Sequence, residues 1–274
     1  IYMAWQNREE VRVGAGLGAC DLAISRWRQT EQGCEWAPAP DSPVDHELGV
    51  LRVDRLDGTP LVVLANYAAH PSMFNSPKFR AYSAEYPGFL CEALEAHFGS
   101  GTMGMFLVGA GGDVKIKRDT AEGPVFAVAD AAETRAAGWV LAERTIEVAE
   151  QVTRSHGHDV QVVSRWVELP LVPPFPAEQY EAEAAALRNN PEAPASAKYP
   201  LEWAEESARM VRAGQAPSSL PVEVQLLRLG RDIALFATPG ELFNAVGQRI
   251  KRALGVPAPF VSAYSNDTPR VGYL

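Results

Sequence analysis

"PLVVLANYAAHPSMFN", residues 60–75, decides how this chain is read. Its first part, "PLVVLA", is a short continuous apolar run of the kind found in strands buried in a sheet. A strand that only had to finish could use Gly-Asn. This one ends in His70 and Pro71. A proline pushes the residue before it into an extended conformation and breaks the ladder behind it. The run therefore delivers one imidazole at the C-terminal mouth of a buried strand. Just upstream, "GVLRVD" (49–54) reads as a second strand, and "RLDG" (55–58) carries the turn chemistry that joins the two as a hairpin.

Working outward, strands and helices alternate. "EYPGFLCEALEAHFG" (85–99) puts Phe89, Leu90, Ala93, Leu94 and His97 at helical spacing and closes with Gly99, a natural C-cap. "MGMFLVG" (103–109) reads as a short strand buried on both faces. Residues 127–154 predict a long helix rich in Ala and Glu, and 159–171 alternate like a strand. Residues 172–221 are rich in proline and hold two charged helical pieces, "AEQYEAEAAALRNN" and "PLEWAEESARMVRAG". They read as a helical insertion over the surface, not a second domain. The last third returns to core: a hairpin (222–230 and 232–240), a helix (241–255) closed by Gly255, and a final strand (258–267). The fold class expected is α/β, with mixed β-sheets and packed helices. It is a layered, sandwich-like single domain over 1–274, with the insertion at 172–221.

Composition narrows the function. With 274 residues and 47% apolar content, the chain can bury one large core or two small ones. A net charge of −9 is the opposite of the basic stripe that nucleic acid demands, and it disfavours anionic membrane surfaces. No apolar run approaches the roughly 18 residues of a membrane-spanning helix. The chain starts on Ile with no leader in front of it, so it reads as trimmed at that end. Cys20, Cys34 and Cys91 form no CxxC pair, which excludes a zinc ribbon or thioredoxin motif. A Cys20–Cys34 disulfide and three free thiols both fit. "GAGLGA" (14–19) resembles a dinucleotide fingerprint but opens no helix, so the nicotinamide reading is set aside. The chain has no phosphate-binding GxxxxGK[ST], GxSxG or HExxH motif.

Three loops after strands share a character: "NYAAHPSMFN", "GAGGDVKIKRD" and "TPGELFNAVG". In sheets covered by helices, ligands gather where strand ends meet. These loops carry His70, Asp113, Lys115 and Glu241. A histidine and a glutamate, with further ligands, make a common zinc set. A glutamate at the start of the 241–255 helix would also be favoured by the helix dipole. The bland reading stands beside this one: a satisfied histidine at a strand end, an ordinary helix-start acid, and a binding module without chemistry.

The same segments carry a family resemblance. "VDHELGVLRVDRLDGTPLVVLANYAAHPSMF", "YSAEYPGFL", "MFLVGAGGDV", "FATPGELFNAVGQRIK" and "VSAYSND" resemble, in order, segments of the N-terminal catalytic domain of neutral/alkaline non-lysosomal ceramidases and their short bacterial relatives. The resemblance implies a Zn2+-dependent hydrolase that cleaves an amide (N-acyl) bond of a small-molecule or lipid-like substrate. It implies His70 and Glu241 as zinc ligands, with Tyr273 as the tyrosine ligand. Arg26, in "AISRWR", is implied to line the site, and Asp113 to lie in its substrate-binding turn. The family's first zinc histidine belongs to a His-Thr-His-Ser-Gly-like segment that would fall upstream of Ile1, and His46 is the nearest substitute here. A serine follows Gly-Asp-Val in ceramidases; here Lys115 stands there. That change implies a metal-activated water as nucleophile, with Lys115 stabilising an oxyanion or holding an anionic substrate. The alternative expectation is a non-catalytic binding domain that retains the fold without a complete zinc site.

Overall fold

Two parallel β–helix–β units give this protein its frame, and each begins with one of the apolar runs above. The structure is a computed structural model that describes residues 2–74, 82–127, 130–155, 159–190, 198–266 and 272. In the first unit of this kind, β5 (Pro60–Tyr67) leads through helix α2 (Glu85–Phe98) to β6 (Met103–Val108), which lies parallel to β5. In the second, β11 (Ile233–Ala237) leads through α6 (Asn244–Leu254) to β12 (Ala258–Ser262), again parallel. Antiparallel strands complete each sheet. The first has the order β1-β4-β5-β6, with β1 (Val11–Ala19) and β4 (Glu47–Arg55). The second has the order β12-β11-β10-β9, with β9 (Val160–Pro170) and β10 (Ser219–Leu229). The mixed α/β architecture expected from sequence is present.

The period-two alternation of strands sorts side chains into layers. Along β5, Val63 and Ala65 turn one way, into a core with Leu90 and Leu94 of α2 and Leu141 of α3 (Ala131–Gln151). Leu64 turns the other way and meets Ile233 and Phe260 of the second sheet. On β12, Phe260 faces the first sheet while Val261 packs beside Ile250 of α6. The order is therefore helices, sheet, sheet, helix. Asn66, 2% exposed, links the sheets. Its Nδ2 donates to Leu107 O (3.0 Å) and Val261 O (2.9 Å), and its Oδ1 accepts from Val261 N (3.2 Å). A buried amide earns its place only when satisfied in this way.

A third sheet, β3-β2-β7-β8, is built from β2 (Ala23–Thr30), β3 (Gly33–Ala39), β7 (Val114–Thr120) and β8 (Gly123–Phe126). None of these four strands, nor β1, follows from the apolar runs read above. Two expectations need correction. β6 is not buried on both faces: it is the edge of its sheet, and Met103 is more than half exposed. The helix expected from Glu241 starts at Asn244, so Glu241 precedes it and is not its first-turn acid. Cys20, Cys34 and Cys91 are all free thiols, which removes the Cys20–Cys34 disulfide from consideration.

Residues Ile1–Arg165 with Glu223–Leu274 form one compact unit, and Trp166–Val222 form another. The second contains α4 (Ala177–Arg188) and α5 (Lys198–Arg212). Ala184, Ala204 and Ala208 are buried there with Tyr180, and Arg212 pairs with Glu181 at 2.7 Å. Among the described residues no helix is long and apolar enough to cross a membrane.

Candidate active site

All four parallel strands contribute to one place. His70 follows β5, Gly111 follows β6, Glu241 follows β11 and Tyr264 follows β12. The backbone past β5 is pinned before the histidine is reached. Tyr67 Oη donates to Cys20 O (2.6 Å), and Tyr86 Oη donates to Ala69 O (2.7 Å). Beyond Pro71, both carboxylate oxygens of Glu85 accept backbone N–H groups, from Met73 and Phe74, each at 2.9 Å. Glu85 does this from a backbone φ of +55°, a left-handed conformation that costs a non-glycine residue on the order of 1 kcal/mol or more.

The imidazole is oriented by its own backbone surroundings. His70 Nδ1 lies 2.8 Å from Gly111 O and donates its proton there. In the neutral ring this leaves a lone pair on Nε2. Nε2 faces Glu241 Oε2 at 3.0 Å and the Tyr264 hydroxyl at 3.3 Å. A lone pair and a carboxylate oxygen at that separation repel each other. Glu241 Oε2 is accordingly buried without a hydrogen-bond donor, although the histidine is close. A proton on Nε2 or a cation between the groups would relieve the arrangement. A ring nitrogen fixed by a carbonyl on its far side is the usual support of a metal-binding histidine. Tyr264 also has φ +55°, and its N–H donates to Gly240 O at 3.0 Å. The strained backbone is what turns its ring toward His70, whose ring it meets edge-on at 6.2 Å.

Lys115 and Arg26 connect to this region through the backbone of its loops. An isolated parallel bridge aligns Lys115 with His70, and His70 N–H donates to Val114 O (3.1 Å). Lys115 is 5% exposed, with Nζ 5.5 Å from the Phe126 ring centre and 5.8 Å from that of Trp36. Burial holds its pKa below the usual lysine value, and the nearby Arg26 charge lowers it further. Arg26 is equally buried, stacks over Trp36 at 4.5 Å, and donates from Nη2 to Gly112 O. Asp113 takes a structural post: its Oδ1 accepts the Asn244 N–H at the start of α6 (2.7 Å). It does there, from a distant loop, what an N-cap residue does locally. Burial raises the Asp113 pKa against the pull of that hydrogen bond.

Of the residues singled out in the sequence, His70 and Glu241 meet, Lys115 pairs with His70 through the backbone, Arg26 holds Gly112 O, and Asp113 braces the turn. His46 is elsewhere, 3.6 Å from Asp21. Tyr273 lies outside the described residues; its neighbour Gly272 accepts the Glu241 N–H through its carbonyl (2.8 Å). Tyr264 was not singled out. Its signal was the pattern of "PFVSAY", a buried run ending in a polar ring, which repeats the logic of "VVLANYAAH". Among the described residues, no three His, Cys, Asp or Glu side chains gather as a metal group.

No family model matches the chain, and no curated protein does. Solved structures do. A neutral ceramidase from Pseudomonas aeruginosa superposes with a TM-score of 0.62 over 96% of this chain and 46% of its own, at 15% identity. A ceramidase complexed with C2 superposes with a TM-score of 0.60 over 96% of this chain and 48% of its own, at 16% identity. This chain has the ceramidase fold and spans about half the length of those structures.

Proposed function

We propose that this chain carries the metal-binding part of a zinc-dependent amidohydrolase of ceramidase type, cleaving an N-acyl bond. The observation that carries the proposal is the His70–Glu241–Tyr264 triangle, with a fixed imidazole and a buried carboxylate oxygen that lacks a donor. Nitrogen, carboxylate and phenol oxygen suit zinc, and the unsatisfied oxygen is what a cation would satisfy. His70, Glu241 and Tyr264 would hold the ion. Tyr264 takes the post that the sequence resemblance assigned to Tyr273. When bound, zinc would polarise the scissile carbonyl and allow a water to act as nucleophile near neutral pH.

The residues of the chain supply the rest. Lys115, buried beside the rings of Trp36 and Phe126, faces developing negative charge with little water to screen it. Arg26 holds Gly112 O and fixes the turn that carries Asp113 and presents Gly111 O to His70. Two buried cations beside the metal donors favour an amide whose acyl or amine part bears an acidic group, over ceramide itself. Lys115 also supports a second reading: it stands where the resemblance expects a serine, so the fold can persist as a binding domain without hydrolysis.

Zinc titration of this chain under chelator competition tests the proposal, with metal content read directly. The expected result is about one zinc per chain, lost in His70→Ala and Glu241→Gln and weakened at least about tenfold in Tyr264→Phe. Hydrolysis of a panel of neutral and acidic N-acyl amides by the zinc-loaded chain then separates the two readings. No zinc uptake with His70 and Glu241 intact would overturn the enzyme reading.

A further inference from the structure

A cavity of about 350 Å³ lies between β1, β4, the turn after β4 and the chain that follows α3. Arg12, Asp54, Gly58, Val152, Thr153 and Arg154 line it, and none of His70, Lys115, Glu241 or Tyr264 does. Its size is that of a site for a small ligand.

Strand pairing gathers the charges of this wall. Arg12 of β1 stands directly opposite Asp54 of β4, and opposed residues share one face of a sheet. Arg52, two residues before Asp54 on the same strand, shares that face. Asp54 is 1% exposed, so its carboxylate needs partners, but it does not take them from Arg12. Its Oδ1 accepts from Arg52 Nε at 2.8 Å, and its Oδ2 accepts from Arg154 Nε at 2.7 Å. Arg52 is held further by Ala149 O at 3.1 Å, and Arg154 by Val152 O. Three guanidiniums therefore surround one carboxylate whose two oxygens are both taken.

Two of those guanidiniums reach the cavity with donors to spare. Arg12 makes no side-chain hydrogen bond or ion pair among the described residues, and Glu9 is paired with Arg55 at 3.3 Å instead. Arg154 is fixed at Nε and Nη1, which leaves Nη2 without a partner. The Arg154 side chain is 28% exposed and Arg12 is half-buried, so water and salt screen the repulsion between them only in part. Thr153 adds a hydroxyl to the same wall.

Three positive charges against one negative leave an excess of two. A phosphate group carries about −1.5 to −2 at neutral pH and spreads acceptor oxygens over a tetrahedron, which suits guanidiniums that come from two different elements. We propose that this cavity binds a phosphate group, free or as a monoester, between Arg12 and Arg154, at a site independent of the His70–Glu241 site. Asp54 is the brace of that site: it spends its charge on Arg52 and Arg154 and holds Arg154 in place.

The test uses the metal-free chain, with inorganic phosphate and glycerol 3-phosphate as probes at fixed ionic strength, followed by calorimetry and by thermal melts. Arg12→Gln is the variant; Arg154 is left intact because it also serves Asp54. At least one probe is expected to bind, the tighter of the two showing whether the source is free phosphate or a phosphorylated molecule, and Arg12→Gln should lower its affinity about tenfold or more. At about ten times its Kd, the probe should raise the Tm of the unaltered chain by about 2–4 °C more than that of the variant. The general stabilisation by phosphate salts acts on both proteins and cancels in that comparison. Without any probe, Arg12→Gln should melt no lower than the unaltered chain, because it removes a charge from a group with too many of one sign. An arginine that served only the fold would give a lower Tm. His70→Ala should bind the probe as before. Absence of binding by both probes, equal affinity in Arg12→Gln, a lower Tm of Arg12→Gln without probe, or loss of binding in His70→Ala each overturns the proposal.

Discussion

Lys115 sits where its charge is costly. It is 5% exposed, its surroundings are two aromatic rings and the Arg26 guanidinium, and its pKa is held below the ordinary value by burial first and Arg26 second. Aromatic contacts at 5.5 Å and 5.8 Å are near the outer limit for a cation–π attraction, so they offset little of the desolvation. A lysine whose folded pKa is depressed weakens the fold wherever it is charged in both states. That cost fades as pH rises through the folded pKa toward the unfolded value of about 10.4. Lys115→Met should therefore raise Tm at pH 7 by about 2–4 °C. The gain should shrink toward zero near pH 10. Thermal melts of both proteins at the two pH values check this, and a variant that is less stable at pH 7 would refute it. The candidate site was only half legible in the sequence. His70 could be found because Pro71 marks the end of its strand, and Glu241 because it follows Pro-Gly. For Tyr264 the run "PFVSAY" marks where its strand ends, but what aims its ring is a left-handed backbone at a non-glycine residue, which no local sequence rule predicts.

At the scale of elements, "GAGLGA" shows how one pattern serves two kinds of structure. Its glycines belong to β1, not to a phosphate loop, and they alternate because β1 presents every second residue to α3. A Cβ built on Gly14 would lie 2.2 Å from Thr153 O and 2.6 Å from Val152 Cγ1; one on Gly18 would lie 2.5 Å from Val148 Cγ2. On Gly16 the nearest atoms, both valine methyls, are at 3.0 Å. Helix and strand approach so closely that no side chain fits between them. Glycine to alanine in an unstrained position usually stabilises by about 0.4–1 kcal/mol. Gly14→Ala should instead destabilise by about 2–3 kcal/mol, because the obstacle is backbone and cannot rotate away. Gly16→Ala should cost about 1 kcal/mol or less, since methyl groups can shift. Urea unfolding at equilibrium measures both, and equal effects at the two positions would refute the packing argument. The elements that could be read from the sequence, among them β4, β5, α2, α3, β10, β11 and the body of α6, have continuous apolar runs or helical periods. Strands β2, β3, β7 and β8 could not. Arg26 and Arg28 interrupt β2, Lys115 and Lys117 interrupt β7, β3 and β8 are short and hold glycine and proline, and pairing is set by distant partners such as Ile24 with Lys115.

Across the whole molecule, the three hydrophobic clusters draw every member from the first compact unit, as do all the donors of the candidate active site. The second unit, Trp166–Val222, has its own resources: a core of alanines with Tyr180, edge-on contacts of Tyr180 with Phe175 (6.0 Å) and Trp203 (5.4 Å), and ion pairs on half-exposed side chains. Exposed ion pairs contribute little because water screens them, and alanines bury little apolar area, so its stability is small and local. Leu171 N–H donates to Ser218 O at 2.9 Å, so the two ends of the intervening segment are already within bonding distance. Replacing residues 172–217 with Asn-Gly, a two-residue hairpin turn, should leave the first unit folded, because no cluster loses a member and the turn suits the gap. The shortened chain should melt cooperatively within about 4 °C of the full one, a change of roughly 1 kcal/mol for a domain of this size. Its zinc titration should match that of the full chain. Loss of near-UV circular dichroism with retained far-UV signal and dye binding, the marks of a molten state, would show that the second unit is required to fold the first.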